Sequence, residues 1–291
     1  MTLDQLNALE PDSFAAALGD VFEYGTWIAR AAAAGRPFAT VAALHDGMID
    51  ILRYAPRDRQ VEFLRGHPEL GSKVAREGDL TDASRAEQGQ LGLDRLSDDQ
   101  FVLFKDLNTA YRKKFPFPFI ICVRRHTRDS ILDRFARRLD HDVDAELAAA
   151  LEEIGHITRL RLVDRIDGPG KPKTTGQLTT HVLDTARGRP AAGVAITLHE
   201  VGANARGVLA QAVTNADGRT DAPLIASMPL RIGTYELQFA IGDYFTRIAP
   251  AAAEQAFLDV VPVRFAITEP EGHYHVPLLA SPWSYTTYRG S

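Results

Sequence analysis

One cysteine in a chain of 291 residues removes two kinds of chemistry at the outset. Cys122 cannot form an intramolecular disulfide, and a thiolate metal cluster would need companions that the sequence does not have. Within the apolar run Phe119-Ile120-Ile121-Cys122-Val123 it reads as a small core residue of a protein kept in a reducing compartment. Long apolar runs are missing too: a membrane-spanning helix needs about 18 consecutive apolar residues or more, and none occurs. Met1-Thr2-Leu3-Asp4-Gln5 has neither the basic nor the apolar region of a secretory leader, and the chain does not end in the peroxisomal Ser-Lys-Leu. The expectation is a soluble, cytoplasmic protein with no membrane partner. An excess of positive charge is also absent. Lys plus Arg number 33 against 38 Asp plus Glu, a net charge of −5 with the basic residues scattered, which leaves no electrostatic footprint for nucleic acid. The nine histidines include no His-Glu-x-x-His, and His273-x-His275 lacks an evident carboxylate or thiolate companion, so no metal site is expected. Gly168-Pro169-Gly170-Lys171 has neither the spacing nor the flanking strand of a phosphate loop.

What is present is an ordinary globular composition, 45% hydrophobic and 24% charged, on a chain too long for one usual domain. Two periods divide it. Up to Ile166 the apolar spacing is helical: Ser13 precedes Phe14, Leu18, Val21 and Phe22, and Thr40 precedes Leu44, Met48, Ile51 and Leu52. Ser97-Asp98-Asp99-Gln100 has the form of a capping box ahead of Phe101, Phe104, Leu107 and Tyr111. Further helices are predicted from near Asp129 and from about Asp144 to Leu162. Residues 167–177 hold an apolar-free stretch full of Gly, Pro, Lys and Thr, a linker by composition. From Leu178 the period becomes two, in Leu178–Leu183, Gly193–Leu198, Tyr235–Phe239 and Val260–Ile267, with a turn at Asn215-Ala216-Asp217-Gly218-Arg219 and one helix-like piece at Ala251–Phe257. The expected architecture is an all-α domain over 1–166, the linker, and a β-sandwich over 178–291.

Three clusters in the second half suit hydrolysis without a metal: His181, Arg219, and His275 together with the terminal Tyr288-Arg289-Gly290-Ser291. A neutral imidazole can take a proton from water, and a guanidinium can hold an anionic oxygen. His273 and His275 project to the same side of one strand, so periodicity does not choose between them. A chain end so rich in aromatic, cationic and hydroxyl groups is expected to be held in place. Taken singly, each of these residues is as readily structural. Together, Thr180-His181-Val182-Leu183-Asp184, Asn215-Ala216-Asp217-Gly218-Arg219 and His273-Tyr274-His275-Val276-Pro277-Leu278-Leu279 before a terminal Tyr-Arg-Gly-Ser resemble 5-hydroxyisourate hydrolase, over essentially all of 178–291. The resemblance implies a transthyretin-like fold and cleavage of a ring amide in 5-hydroxyisourate to give 2-oxo-4-hydroxy-4-carboxy-5-ureidoimidazoline (OHCU). By motif position it places catalytic roles on His181, Arg219, His275 and Ser291, with Tyr288 lining the pocket. It also implies tetramers through this domain, with sites at subunit interfaces. Hormone-binding members of the fold lack the histidine pair and the Tyr-Arg-Gly-Ser end.

In the helical half, Gly66-His67-Pro68-Glu69-Leu70-Gly71 and Ser84-Arg85-Ala86-Glu87-Gln88 stand out. Pro68 biases His67 away from helical geometry, toward a helix end or turn. Ser84, Glu87 and Gln88 fall at i, i+3 and i+4 of one helix face, either as a capping box or as a hydroxyl, carboxylate and amide beside an imidazole. These two segments, followed by Leu107-Asn108-x-x-Tyr111 and Lys114-Phe115-Pro116-Phe117-Pro118-Phe119-Ile120, resemble OHCU decarboxylase over residues 1 to about 166. The resemblance implies that His67 is the proton donor and Glu87 orients it. It also implies that Pro68, Ser84, Gln88 and the chain at Phe119, Ile120, Ile121 and Val123 hold the ring and ureido groups, and that Arg161 pairs with a substrate carboxylate. The electron pair left by the departing CO2 can be stored in the substrate's own carbonyl, so no pyridoxal, thiamine or metal cofactor is implied. A proton from one face would give (S)-allantoin. The product of one half is the substrate of the other, and the sequence therefore predicts a bifunctional, cofactor-free enzyme of urate catabolism. It is expected to be a homo-oligomer, with dimer contacts through the α domain and a tetramer through the other. The alternative is a monofunctional decarboxylase whose second domain serves binding or oligomerisation.

Overall fold

Helices in the first half form where an apolar stripe meets a competent start. The computed structural model describes residues 1–71, 82–90, 98–202, 206–248 and 257–290. Among them the helices are α1 (Leu3–Asn7), α2 (Pro11–Ala17), α3 (Thr26–Ala32), α4 (Val41–Arg53), α5 (Arg57–Arg65), α6 (Asp82–Gln90), α7 (Asp98–Lys114), α8 (Arg128–Arg138) and α9 (Val143–Arg165). Thr40 caps α4, its Oγ1 accepting from the Ala43 N–H, and Asp142 caps α9 through Ala145. The buried stripe of α4 is Val41, Leu44, His45, Met48, Ile49 and Leu52. Ser13 is not the start of a helix: α2 begins at Pro11, where a missing N–H is harmless, and ends at Ala17. Leu18, Val21 and Phe22 are buried from the turns that follow. Ser97, the first residue of the expected capping box, lies outside the described residues. A core of Phe14, Phe22, Leu44, Met48, Phe104, Phe135 and Ile154 among others holds these helices together, each such side chain contributing about 1.5–3 kcal/mol by burial.

The apparent linker is partly structured. Asp167 accepts from the Leu3 N–H and donates its own N–H to Met1. The carbonyls of Pro169 and Gly170 accept from Val41 and Ala42, so three first-turn N–H groups of α4 are satisfied once Thr40 is counted. Gly170 has φ +60, and a Cβ there would meet the Thr40 side chain at 2.7 Å. By compactness the first unit comprises Met1–Arg124 and Ser130–Lys173, and the second Arg125–Asp129 and Thr174–Ser291.

In the second unit the strands are β1 (Gly176–Thr179), β2 (Val182–Asp184), β3 (Arg189–Pro190), β4 (Ala195–Val201), β5 (Arg206–Val213), β6 (Ile225–Met228), β7 (Gly233–Ala240), β8 (Val260–Ile267), β9 (His273–His275), β10 (Leu278–Ala280) and β11 (Tyr285–Thr287). They form sheets in the orders β6-β1-β9, β11-β10-β2-β3 and β5-β4-β7-β8. Val182 and Leu278 from one sheet and Ile196, Leu198, Leu237 and Phe239 from another share a core. The run Leu178–Leu183, expected as one strand, is two: β1 pairs in parallel with β9 and β2 with β10, and both partners break at the same level. Pro277 has no N–H to give the ladder, while Thr180 Oγ1 donates to the Val276 carbonyl. A helix, α10 (Ile241–Ile248), follows directly on β7. The expected helix-like piece at Ala251–Phe257 falls, except for Phe257, outside the described residues. Among the described residues no helix is long and apolar enough to cross a membrane.

Candidate active sites

The break in the paired strands is where the second unit gathers its imidazoles. His181 Nδ1 and His275 Nε2 are 2.7 Å apart, with ring centroids at 4.8 Å. Thr179 Oγ1 lies 2.8 Å from His275 Nδ1 and 2.9 Å from His273 Nε2, and because a hydroxyl has one hydrogen it donates to at most one of the two rings. His273 and His275 thus share a side as the period requires. The parallel register sets Thr179 opposite His275 and makes that ring, not the exposed His273, the neighbour of His181. The turn at Asn215 delivers Arg219. Asn215 Oδ1 accepts from the N–H groups of Asp217 and Arg219, and the Gly218 carbonyl accepts from Val182. Arg219 and His181 then form an isolated bridge.

Burial first, and then the charge of Arg219, lower the pKa of His181 below 6.5. For His275 burial again comes first, followed by His181, Arg219 and His273. Neutral imidazoles are therefore favoured at pH 7, the form that can accept a proton. The chain end is pinned. β11 pairs with β10, and the Gly290 N–H donates to the His275 carbonyl at 2.8 Å. Ser291 lies outside the described residues, and Tyr288 is 54% exposed.

In the first unit, His67 and Pro68, Ser84, Glu87 and Gln88, Phe119, Ile120, Ile121 and Val123, and Arg161 line one cavity with Glu23, Leu70 and Ile157. His67 follows α5, and its Nδ1 donates to the Phe63 carbonyl at 3.1 Å, which leaves Nε2 as the other ring nitrogen. The rings of Phe63 and Tyr24 meet it edge-on at 5.0 and 5.6 Å. Asn108 Nδ2 donates to the Leu70 carbonyl, tying α7 to the loop that carries His67. The opposite wall is held from behind: Arg138 Nη1 donates to the Ile120 carbonyl at 2.7 Å and its guanidinium lies over Phe119 at 4.5 Å. Arg138 in turn grips the fully buried Glu146, which also accepts from Tyr111.

Two expectations differ from this geometry. Ser84 does not cap α6, because the helix starts at Asp82 and Ser84 is buried within it. Glu87 does not hydrogen-bond His67; Arg161 binds it through Nε at 3.0 Å and Nη2 at 2.8 Å, a fork matched to a carboxylate. Arg161, expected to face a substrate carboxylate, also donates to Glu23 at 3.1 Å and to Ser84 Oγ at 3.1 Å. Burial works against the guanidinium charge, but the hydrogen bonds and charges of Glu87 and Glu23 outweigh it and hold its pKa up. Burial lowers the pKa of His67, opposed chiefly by the charge of Glu23. Sequence reasoning missed Glu23, which sits in the turns after α2 where no period draws attention to it.

A family model described as OHCU decarboxylase matches residues 7–163, and one described as HIUase/Transthyretin family matches residues 178–290. The 5-hydroxyisourate hydrolase of Deinococcus radiodurans is 60% identical over 114 residues, 39% of this chain and 95% of the relative. The OHCU decarboxylase of Haloferax volcanii is 40% identical over 165 residues, 57% of this chain and 96% of the relative. A crystal structure of (S)-allantoin synthase, 34% identical, matches across 100% of both chains with a TM-score of 0.54. The chain belongs to the OHCU decarboxylase family through residues 7–163 and to the HIUase/transthyretin family through residues 178–290.

Proposed function

We infer that this chain is a bifunctional enzyme of urate catabolism, which hydrolyses 5-hydroxyisourate to OHCU and decarboxylates OHCU to (S)-allantoin and CO2. The observation that carries this reading is the similarity to an (S)-allantoin synthase along the whole of both chains. The functional boundaries of the reading are 1–166 for decarboxylation, 167–177 for the join and 178–291 for hydrolysis. In the hydrolase half, the His181–His275 pair activates water, Arg219 holds the oxygen that becomes negative at the attacked carbonyl, and Ser291 and Tyr288 complete the pocket. The 2.7 Å contact between the imidazoles supports proton sharing between them. In the decarboxylase half, Pro68, Gln88 and the wall Phe119, Ile120, Ile121 and Val123 hold the ring and ureido groups, and Arg161 with Ser84 and Glu87 forms the polar side. Loss of CO2 leaves an electron pair delocalised within the substrate, and His67 protonates it from one face. An anionic substrate beside His67 acts in the same sense as Glu23 and favours the charged, donor form of the imidazole. Homo-oligomers, dimeric through the α half and tetrameric through the other, and a cytoplasmic location complete the reading.

The test uses the full chain with 5-hydroxyisourate generated in place. His67→Ala should leave hydrolysis intact and reduce formation of optically active allantoin by about 10²–10⁴-fold, and His181→Ala should lose hydrolysis of 5-hydroxyisourate while still forming (S)-allantoin from OHCU supplied by a separate hydrolase. Undiminished (S)-allantoin formation by His67→Ala would remove His67 from its role.

A further inference from the structure

Among the described residues, the hydrogen bonds that join Glu23, Ser84, Glu87 and Arg161 have definite directions. The Glu23 carboxylate, on a residue 7% exposed, can only accept. Ser84 Oγ lies 2.9 and 2.7 Å from its two oxygens, so the single hydroxyl hydrogen of Ser84 goes to Glu23. The Ser84 oxygen is then the acceptor for Arg161 Nη2. Arg161 gives Nε–H and one Nη2–H to Glu87, its other Nη2–H to Ser84, and one Nη1–H to Glu23. A carboxylate at position 23 therefore decides which way the Ser84 hydroxyl points and how the guanidinium is turned. With a neutral group there, the hydroxyl would be able to rotate and donate into the cavity.

We infer that Glu23 is a positioning residue for decarboxylation: it fixes Ser84 as a hydrogen-bond acceptor and Arg161 in one orientation, and it sets a negative charge in the cavity that holds His67. This rests on the reading of the cavity as the OHCU site. Among the described residues, the charged groups that line the cavity with His67 are Glu23 from the turns after α2, Glu87 from α6 and Arg161 from α9, and the rings of Tyr24 and Phe63 meet the imidazole edge-on. Glu23 favours the imidazolium and Arg161 opposes it, so removal of the Glu23 charge moves the balance toward the neutral ring.

The experiment is steady-state decarboxylation by the full-length chain of OHCU generated in place from urate, with product optical activity as the readout. Glu23→Gln should lower kcat/KM by about tenfold or more and move the limb on which activity falls with rising pH to lower pH. Glu23→Asp, which keeps the charge on a shorter stem, should restore the limb without restoring all of kcat/KM. The effects of Glu23→Gln and Ser84→Ala should be non-additive, since both disturb one hydrogen-bond arrangement. A Glu23→Gln enzyme within about twofold of wild type and with an unmoved limb would overturn the inference, as would strict additivity with Ser84→Ala. If Glu23→Gln does not fold, the Glu23→Asp and Ser84→Ala cycle decides by the same criterion. Wild type that forms no (S)-allantoin would instead overturn the reading of the cavity itself.

Discussion

A methyl group at position 290 has nowhere to go. It would lie 2.5 Å from Cδ2 of His275 and 3.2 Å from its Cβ, while the Gly290 N–H holds the carbonyl of that same residue. Gly290→Ala must therefore push either the chain end or the imidazole away. Displacements of about 1 Å at a catalytic group can cost on the order of 10²-fold, so 5-hydroxyisourate hydrolysis should fall by roughly that factor while decarboxylation by the same protein is unchanged. Equal loss of both activities would point to misfolding, and no loss of either would separate the tail from the site. At this scale the sequence is informative about residue types and poor about pairings. The period of two puts His273 and His275 on one side, but only the parallel register, Gln177 with His273 and Thr179 with His275, makes the second ring the neighbour of His181. Glu23 was illegible because its partners are 61 and 138 residues away, and nothing local marks a buried carboxylate in a turn.

Between elements, α4 and α9 meet through a buried pair, His45 Nε2 and Thr158 Oγ1 at 3.0 Å, and Thr158 bonds back to the Ile154 carbonyl. Burial is the main reason that the pKa of His45 falls from 6.5 to about 4, with the charge of Asp46 opposing it. The folded state thus holds His45 neutral where the unfolded chain would protonate it. The stability this provides is whole above pH 6.5 and is lost as the pH falls toward about 4. It amounts to about 3 kcal/mol when complete. Unfolding of the helical unit, followed by its ellipticity, should show that loss between pH 6.5 and 4, and His45→Gln should flatten it. An unaltered pH dependence in the variant would mean that other groups carry the acid sensitivity. The stripe of α4 is legible in the sequence, since Leu44, Met48 and Leu52 behind Thr40 are buried as their spacing implies. In the breaker-rich stretch after Ile166, composition reports what a chain cannot pack, not which backbone carbonyls find a helix start, as those of Pro169 and Gly170 do. α10 escaped because its eight residues abut β7 with no punctuation between them.

For the whole chain, the switch from a helical to an alternating period was enough to divide it, because one-faced helices and two-faced strands need different repeats whatever their tertiary partners. What fusion adds is a matter of concentration. The join ties one decarboxylase site to each hydrolase site, so OHCU released by one half starts its diffusion within the chain's own reach of the other, whatever the protein concentration. A substrate that decays in bulk water is protonated on either face, so time spent free lowers optical purity. Wild type should therefore convert 5-hydroxyisourate to (S)-allantoin with little lag. An equimolar mixture of full-length His67→Ala and His181→Ala chains, each retaining the site that the other lacks, should form allantoin after a longer lag and with lower enantiomeric excess, most clearly at low protein concentration. Circular dichroism of the product during turnover measures both quantities. If the mixture matches wild type at every concentration, the covalent join gives no kinetic advantage, and its value must lie in producing the two activities in equal number.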